Sequence, residues 1–167
     1  MALAFQVTTP DRVFVPDYAE EVIAVLWDRF GVRYVGDDER PRLWSEEIGR
    51  ARLRALQELA PGLLGPSRSP QLAACDPFQT VYLPLELAPE PVAVAGEALV
   101  VGSVLHLREE LQEIGRAQRW PVDLDSLQAT AARSARPPAP PKAAYLQLAR
   151  MAEEAVLQDL PLWAVET

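Results

Sequence analysis

The chain has 167 residues, of which 49% are hydrophobic and 24% are charged, and its formal net charge is −8 at pH 7. These proportions exclude a wholly disordered chain, and the length is near that of a single domain with its own core. A strongly negative surface repels phosphate backbones and anionic lipids, so the charge argues against nucleic acid and membranes and favours a neutral or basic protein as partner.

The cysteine content and the N-terminal sequence restrict the class of protein further. Cys75 is the only cysteine, so an internal disulfide and a multi-cysteine metal site are excluded. The N-terminal sequence MALAFQVTTPD has no basic segment, and its apolar run is too short for a signal peptide. No apolar run approaches the roughly 18 to 20 residues that cross a bilayer. We therefore expect a cytoplasmic protein.

The N-terminal half is predicted to alternate short strands with helices. AFQV suits a strand, and Asp17 and Gly31 suit the start and end of a helix. Between them lies a broad apolar stripe that is expected to pack on the core: Ala19, Val22, Ile23, Leu26, Trp27 and Phe30. After a short strand VRYV, a second helix is expected from about Trp44 to Ala60. The breaker-rich segment 61–77 is expected to be a long surface loop.

The next segment is predicted to form strands and then helices. TVYLPLEL is expected at a sheet edge, because Pro84 cannot donate to a neighbouring strand. VAVAGEALVV is expected to be a hairpin that turns near Gly96. Ser103 is predicted to cap a third helix, and Asp125 to begin a shorter one. The buried face of the third helix is predicted to be Val104, Leu107, Leu111 and Ile114.

A proline-rich segment, residues 134–142, precedes the last predicted helix, residues 143–160. One amphipathic helix is marginal alone in water, so we interpret the prolines as a stiff strap that carries this helix to its docking place. RPPAPPK also fits a proline-rich docking motif, and this alternative stays open. The whole pattern predicts a single α+β domain over residues 1–167. It would have three to five short, mainly antiparallel strands and four or five helices.

Catalytic signatures are scarce in this sequence. His106 is the only histidine, and Ser103 suits a helix cap better than a nucleophile. Cys75 has no cationic neighbour in sequence that would lower its pKa, and the only lysine, Lys142, lies among prolines. No glycine-rich phosphate loop occurs. We therefore expect no catalytic residues, no metal site and no cofactor.

Carboxylates remain as candidates for a binding surface. Two clusters stand out: Glu109, Glu110 and Glu113 on the third helix, opposite its apolar face and so predicted to face water, and Asp37, Asp38 and Glu39 in a loop. Exposed acidic groups speed association with a basic partner. The leading hypothesis is a non-enzymatic protein that binds another protein. Its most concrete form is an immunity or inhibitor protein that neutralises a basic toxin or effector.

Two alternatives from other classes stay open. The first is a small enzyme or ligand-binding domain that uses Asp, Glu and Arg in a pocket not evident from the sequence. The second is a structural adaptor in a larger assembly, through RPPAPPK. The oligomeric state also stays open.

Overall fold

The computed structural model describes residues 2–36, 39–77, 79–133 and 136–167, and within these ranges the chain forms one mixed sheet with helices packed around it. The strands are β1 (Leu3–Val7), β2 (Leu43–Trp44), β3 (Thr80–Leu83), β4 (Glu90–Val94), β5 (Glu97–Ser103) and β6 (Leu162–Glu166). The helices are α1 (Pro16–Phe30), α2 (Arg50–Leu64), α3 (Pro70–Ala73), α4 (Val104–Gln118), α5 (Leu124–Arg133) and α6 (Pro140–Gln158), with a 3₁₀ turn at Pro10–Arg12. The predicted α+β class is therefore confirmed.

The strands found in the described ranges follow the order β2-β1-β6-β3-β5-β4 across the sheet. All neighbours are antiparallel except β3 and β5, which run parallel. The prediction of three to five mainly antiparallel strands is thus wrong, because the sheet has six strands and is mixed. VRYV forms no strand, whereas β2 and β6 are absent from the prediction. Pro84 follows the end of β3, which lies inside the sheet and not at its edge.

Strand β6 lies inside the sheet and joins its two parts, β2-β1 and β3-β5-β4. It pairs with β1 on one side, where Phe5 is opposite Ala164, and with β3 on the other, where Thr80 is opposite the same residue. Trp163 is 1% exposed, and its indole Nε1–H donates to the carbonyl of Thr8 over 2.9 Å. Without β6, the pair β1–β2 has no hydrogen-bonded link to β3, β5 and β4.

The two faces of the sheet carry different helices. Trp163 is opposite Val81 and Leu162 is opposite Tyr82, so the side chains of Trp163 and Tyr82 point to opposite faces. The Trp163 ring packs edge-on against Phe14, just before α1, with 5.2 Å between ring centroids. The Tyr82 hydroxyl donates to the carbonyl of Gln71 in α3 over 2.8 Å. Helix α1 therefore lies on one face, and α3 lies on the other together with α4 and α6.

Helix α6 is the central helix of the second face. It packs against α2, α4, α5 and β1, and residues 143–149 are all buried. Gln147 is a polar member of this buried run, and its side-chain oxygen accepts the backbone N–H of Glu46 over 3.1 Å. The helix predicted over 143–160 begins earlier, at Pro140, and ends at Gln158, so residues 140–142 of the predicted strap form its first turn. Residues 134 and 135 of the strap lie outside the described residues, and Pro137 and Pro138 line a groove together with Glu46.

Local signals for helix and turn boundaries are confirmed at three positions. Gly31 ends α1 with a left-handed φ of 69°. The hairpin between β4 and β5 turns at Ala95 and Gly96, which both have positive φ. The Ser103 hydroxyl accepts from the backbone N–H of His106 over 3.1 Å, so Ser103 caps α4.

Other predicted boundaries are wrong. Helix α1 begins at Pro16 without a side-chain cap, so Asp17 is not its cap. Trp44 lies in β2, and α2 starts only at Arg50. The segment 61–77 is not a loop throughout, because it contains the end of α2 and the short helix α3, in which Gln71 and Leu72 are buried. The carboxylate at the start of α5 that accepts a backbone N–H, from Ser126 over 2.8 Å, belongs to Asp123 and not to Asp125.

The contact of α4 with α6 depends on a glycine, and this gives a first prediction. A Cβ at Gly115 would meet the hydroxyl of Tyr145, which is itself held by a 2.6 Å bond to the carbonyl of Pro121. We expect Gly115→Ala to lower the free energy of unfolding by roughly 1–3 kcal/mol through overpacking. Gly62→Ala, in α2 with open space around it, is the matched control and should raise that free energy by about 0.5–1 kcal/mol. Urea unfolding of both variants checks the contrast, and equal effects would contradict it.

A second prediction concerns the interior position of β6. Deleting residues 161–167 removes the strand that holds β1 and β3 together and leaves their backbone groups unpaired. We expect the shortened protein to lose its cooperative thermal transition, which circular dichroism and calorimetry measure. A sharp transition near the midpoint of the intact protein would show that the sheet does not need β6.

Candidate binding cleft at the ends of the parallel strands

The parallel strands β3 and β5 end at the same edge of the sheet, and a cleft of about 330 Å³ lies beside the helix that follows β5. The lining residues come from the segment around α3, the loop after β3 and the first turns of α4: Arg68, Pro70, Gln71, Ala88, Pro89, His106, Glu109, Glu110 and Glu113. The cleft thus combines the only histidine with the predicted acidic cluster of α4.

The floor of the cleft contains a buried carboxylate. Glu110 is 7% exposed, and its two oxygens accept the backbone N–H groups of Gln71 and Leu72, each over 2.9 Å. The expectation that Glu110 faces water is therefore wrong. Glu110 lies three residues after Leu107 and four before Ile114, so it borders the apolar face of α4 and does not lie opposite it. Helix α3 covers this side, and the carboxylate accepts two backbone N–H groups at the start of α3.

Gln71 ties the floor to three other elements. Its Nε2 donates to the carbonyl of Leu87 over 2.8 Å, and its Oε1 accepts the backbone N–H of Ser103 over 2.9 Å. Its own carbonyl accepts the hydroxyl of Tyr82. A Cβ at Gly102 would lie 2.5 Å from that Oε1 and 2.8 Å from the Tyr82 ring, so only glycine fits there. The floor is consequently a fully bonded and rigid polar cluster.

Burial changes the acidity of the Glu110 carboxyl group. Loss of hydration raises its pKa from 4.5 to about 7, and the negative charge of Glu113 acts in the same direction. The bonds from the amides of Gln71 and Leu72 and the proximity of His106 act in the opposite direction. The group therefore titrates near neutral pH although both of its oxygens accept backbone hydrogen bonds.

The rim of the cleft carries exposed charges of both signs. Glu109 and Glu113 lie one helical turn apart on α4, and both are exposed as predicted. Arg68 is exposed and lines the same cleft, and His106 is half-buried. Two carboxylates and a guanidinium group above a rigid floor suit the binding of a charged group on a larger molecule.

The second predicted acidic cluster is not part of this cleft. Asp37 and Asp38 lie outside the described residues, and the exposed Glu39 is not among the lining residues. A contact of either cluster with a partner stays a prediction.

Cys75 and groups of metal-binding side chains are two further places to look for a site. The thiol of Cys75 is buried, and burial raises its pKa to about 11, so it stays protonated and enclosed. Within the described ranges, no group of three or more His, Cys, Asp or Glu residues is arranged to hold a metal ion. In the same part of the chain, no helix is long and apolar enough to cross a membrane.

Comparisons of the chain with protein-family models, with curated proteins and with solved structures gave no match.

A third prediction follows from the titration of Glu110. Between pH 4.5 and about 7 the folded protein binds a proton at this group that the unfolded chain has released, so stability falls as pH rises. The contribution is complete below pH 4.5 and is lost as pH rises through about 7. It amounts to at most roughly 3 kcal/mol, because a tenfold change in proton affinity corresponds to about 1.4 kcal/mol.

Urea unfolding at pH 5 and pH 8 measures this effect. Glu110→Gln removes the titrating group and should reduce the stability difference between the two pH values. Glu109→Gln removes a neighbouring exposed carboxylate, leaves Glu110 in place and should keep the wild-type difference. An undiminished difference in Glu110→Gln would show that another group titrates.

Proposed function

We propose that the protein is a non-enzymatic, cytoplasmic protein that acts by binding another protein, and that the cleft beside α4 receives a basic side chain of that partner. The observation that carries the proposal is the placement of Glu109 and Glu113 on the rim of a cleft whose floor is rigid. The hydrogen-bonded floor loses little conformational freedom when a partner binds, which favours affinity.

The chemistry of the rim favours a guanidinium or ammonium group as the ligand. Carboxylates one turn apart on a helix repel each other mildly, and a cation between them relieves this repulsion. Arginine is the best suited side chain, because its planar fork donates two parallel bonds to a carboxylate. Arg68, across the cleft, would pair with an acidic group of the partner and so fix its orientation.

The net charge supports a partner of opposite sign. A charge of −8 on 167 residues steers a basic protein towards the surface and speeds association at low ionic strength. The same charge disfavours nucleic acid, whose phosphates it repels. An immunity or inhibitor protein that blocks a basic toxin or effector domain is the form of this function that we propose. A toxin gene beside the gene of this protein would support it.

The structure of the floor supports binding over catalysis. Glu110 is 7% exposed and each of its oxygens accepts a backbone N–H group, so we assign it a structural role. Its role in the proposal is to hold α3, and with it Pro70 and Gln71, at the wall of the cleft.

A fourth prediction tests the cleft directly with a hexa-arginine peptide as the probe. In a ¹H–¹⁵N NMR titration at low salt, the largest shift changes should fall on Arg68, Ala88 and residues 106–113. The double variant Glu109→Gln/Glu113→Gln should bind at least roughly tenfold more weakly, and the difference should shrink as salt is raised.

A matched control separates the cleft from the general negative charge. Glu47→Gln/Glu58→Gln removes the same two charges from exposed positions that do not line the cleft. This variant should bind the peptide almost as tightly as the wild type. Equal weakening in both double variants, or shift changes spread over the whole surface, would contradict a specific site on α4.

A further inference from the structure

The solvent-facing side of α1 exposes large apolar side chains. Of its predicted apolar stripe, Ala19, Val22 and Leu26 are buried, but Trp27 is 58% exposed. The expectation that the whole stripe packs on the core is therefore wrong. Val35, which follows α1 in the chain, is 54% exposed. Large exposed apolar groups that lie together mark interaction surfaces.

Two grooves flank this face of α1. One, of about 370 Å³, lies between α1 and the segment that follows it, and the other, of about 450 Å³, lies between α1 and the edge strand β4. The first is lined by Glu20, Ile23, Ala24, Trp27, Arg33 and Val35, and the second by Ala24, Val25, Asp28, Arg29, Val92 and Ala93. Ala24 lines both grooves, so only its small side chain, at the middle of α1, separates one groove from the other.

We propose that a second copy of this chain docks on this face, with the two α1 helices antiparallel about a two-fold axis at Ile23 and Ala24. Glu20, Ile23, Ala24 and Trp27 are spaced i, i+3, i+4 and i+7, which is the spacing of a helix–helix contact seam. The small Ala24 allows close approach of the helix axes. The seam is symmetric about its midpoint, so Trp27 of each copy meets the Glu20 end of the other.

Charge complementarity identifies a second copy as the occupant. Glu20 and Arg33 line the same groove, but Glu20 belongs to the first half of α1 and Arg33 follows its C-terminal end. An antiparallel arrangement brings Glu20 of one copy towards Arg33 of the other, and the two-fold axis repeats this pair. An isologous interface requires a self-complementary patch of this kind.

The dimer is independent of the proposed function. Helix α1 covers one face of the sheet and α4 lies on the other, so the seam on α1 leaves the acidic cleft accessible. The net charge of −8 on each copy opposes association of two copies, so the local apolar and charge complementarity must outweigh this repulsion.

Charge-reversal variants test the arrangement by sedimentation velocity of the full chain between about 1 and 200 µM. The wild type should form dimers in this range. Glu20→Arg and Arg33→Glu should each raise the dimer dissociation constant at least roughly tenfold, because each places like charges together twice. An equimolar mixture of the two variants should recover dimers, since each mixed dimer contains two pairs of opposite charge.

Two further variants keep the result decisive. Ala24→Arg places a bulky charge at the centre of the seam and should leave only monomers, with an unchanged circular dichroism spectrum because Ala24 is exposed. Glu47→Arg makes the same charge change as Glu20→Arg beside α6 and should leave the dimer intact. A monomeric wild type at 200 µM, a dimer that tolerates Ala24→Arg, or a mixture that stays monomeric would each overturn the proposal.

Discussion

The insertion of β6 between β1 and β3 is the constraint on which the rest of this structure depends. The strand joins residues from opposite ends of the chain, since Trp163 and Thr8 are 155 positions apart in the sequence and share a buried hydrogen bond. No smaller part of the chain completes the sheet. Such distant pairing makes the chain fold as one cooperative unit and slows folding relative to a helical bundle.

The position of β6 also determines where α6 lies, and α6 in turn positions the cleft. Helix α4 packs on α6 at the contact of Gly115 with Tyr145, and Glu153 of α6 accepts from Gln112 over 3.0 Å and lies 3.8 Å from a guanidinium nitrogen of Arg108. Because α6 fixes the position of α4, the side of α4 that carries Glu110 can hold α3 in place. The acidic rim is therefore built on the core of the protein and not on a mobile loop.

Several local features were predictable from the sequence, although the helix starts at Asp17 and Asp125 were not, whereas features that depend on distant segments were missed. The cap at Ser103 and the turn at Gly96 arise from neighbouring residues, and both are correct. Strand β6 is buried on both faces, so it lacks the alternation of polar and apolar residues that marks a half-exposed strand. The exposure of Trp27 could not be predicted, because a helical projection gives the direction of a side chain but does not show which segment covers that side. The burial of Glu110 was predictable in part, since Glu110 is three residues after Leu107 and four before Ile114 and so borders the apolar face of α4.

The burial of the Glu110 carboxylate lowers the stability of the fold but fixes the position of α3 at the cleft. Removing its hydration shell destabilises the fold at neutral pH, as the raised pKa of its carboxyl group indicates. An apolar replacement would leave the amides of Gln71 and Leu72 unsatisfied, and each buried unsatisfied amide costs about 1–3 kcal/mol. Apolar packing alone would allow α3 to shift along α4, whereas a two-oxygen contact with two consecutive amides permits one position. The wall of the cleft is thus fixed by hydrogen-bond geometry, which holds Gln71 and Leu72 of α3 against Glu110 of α4.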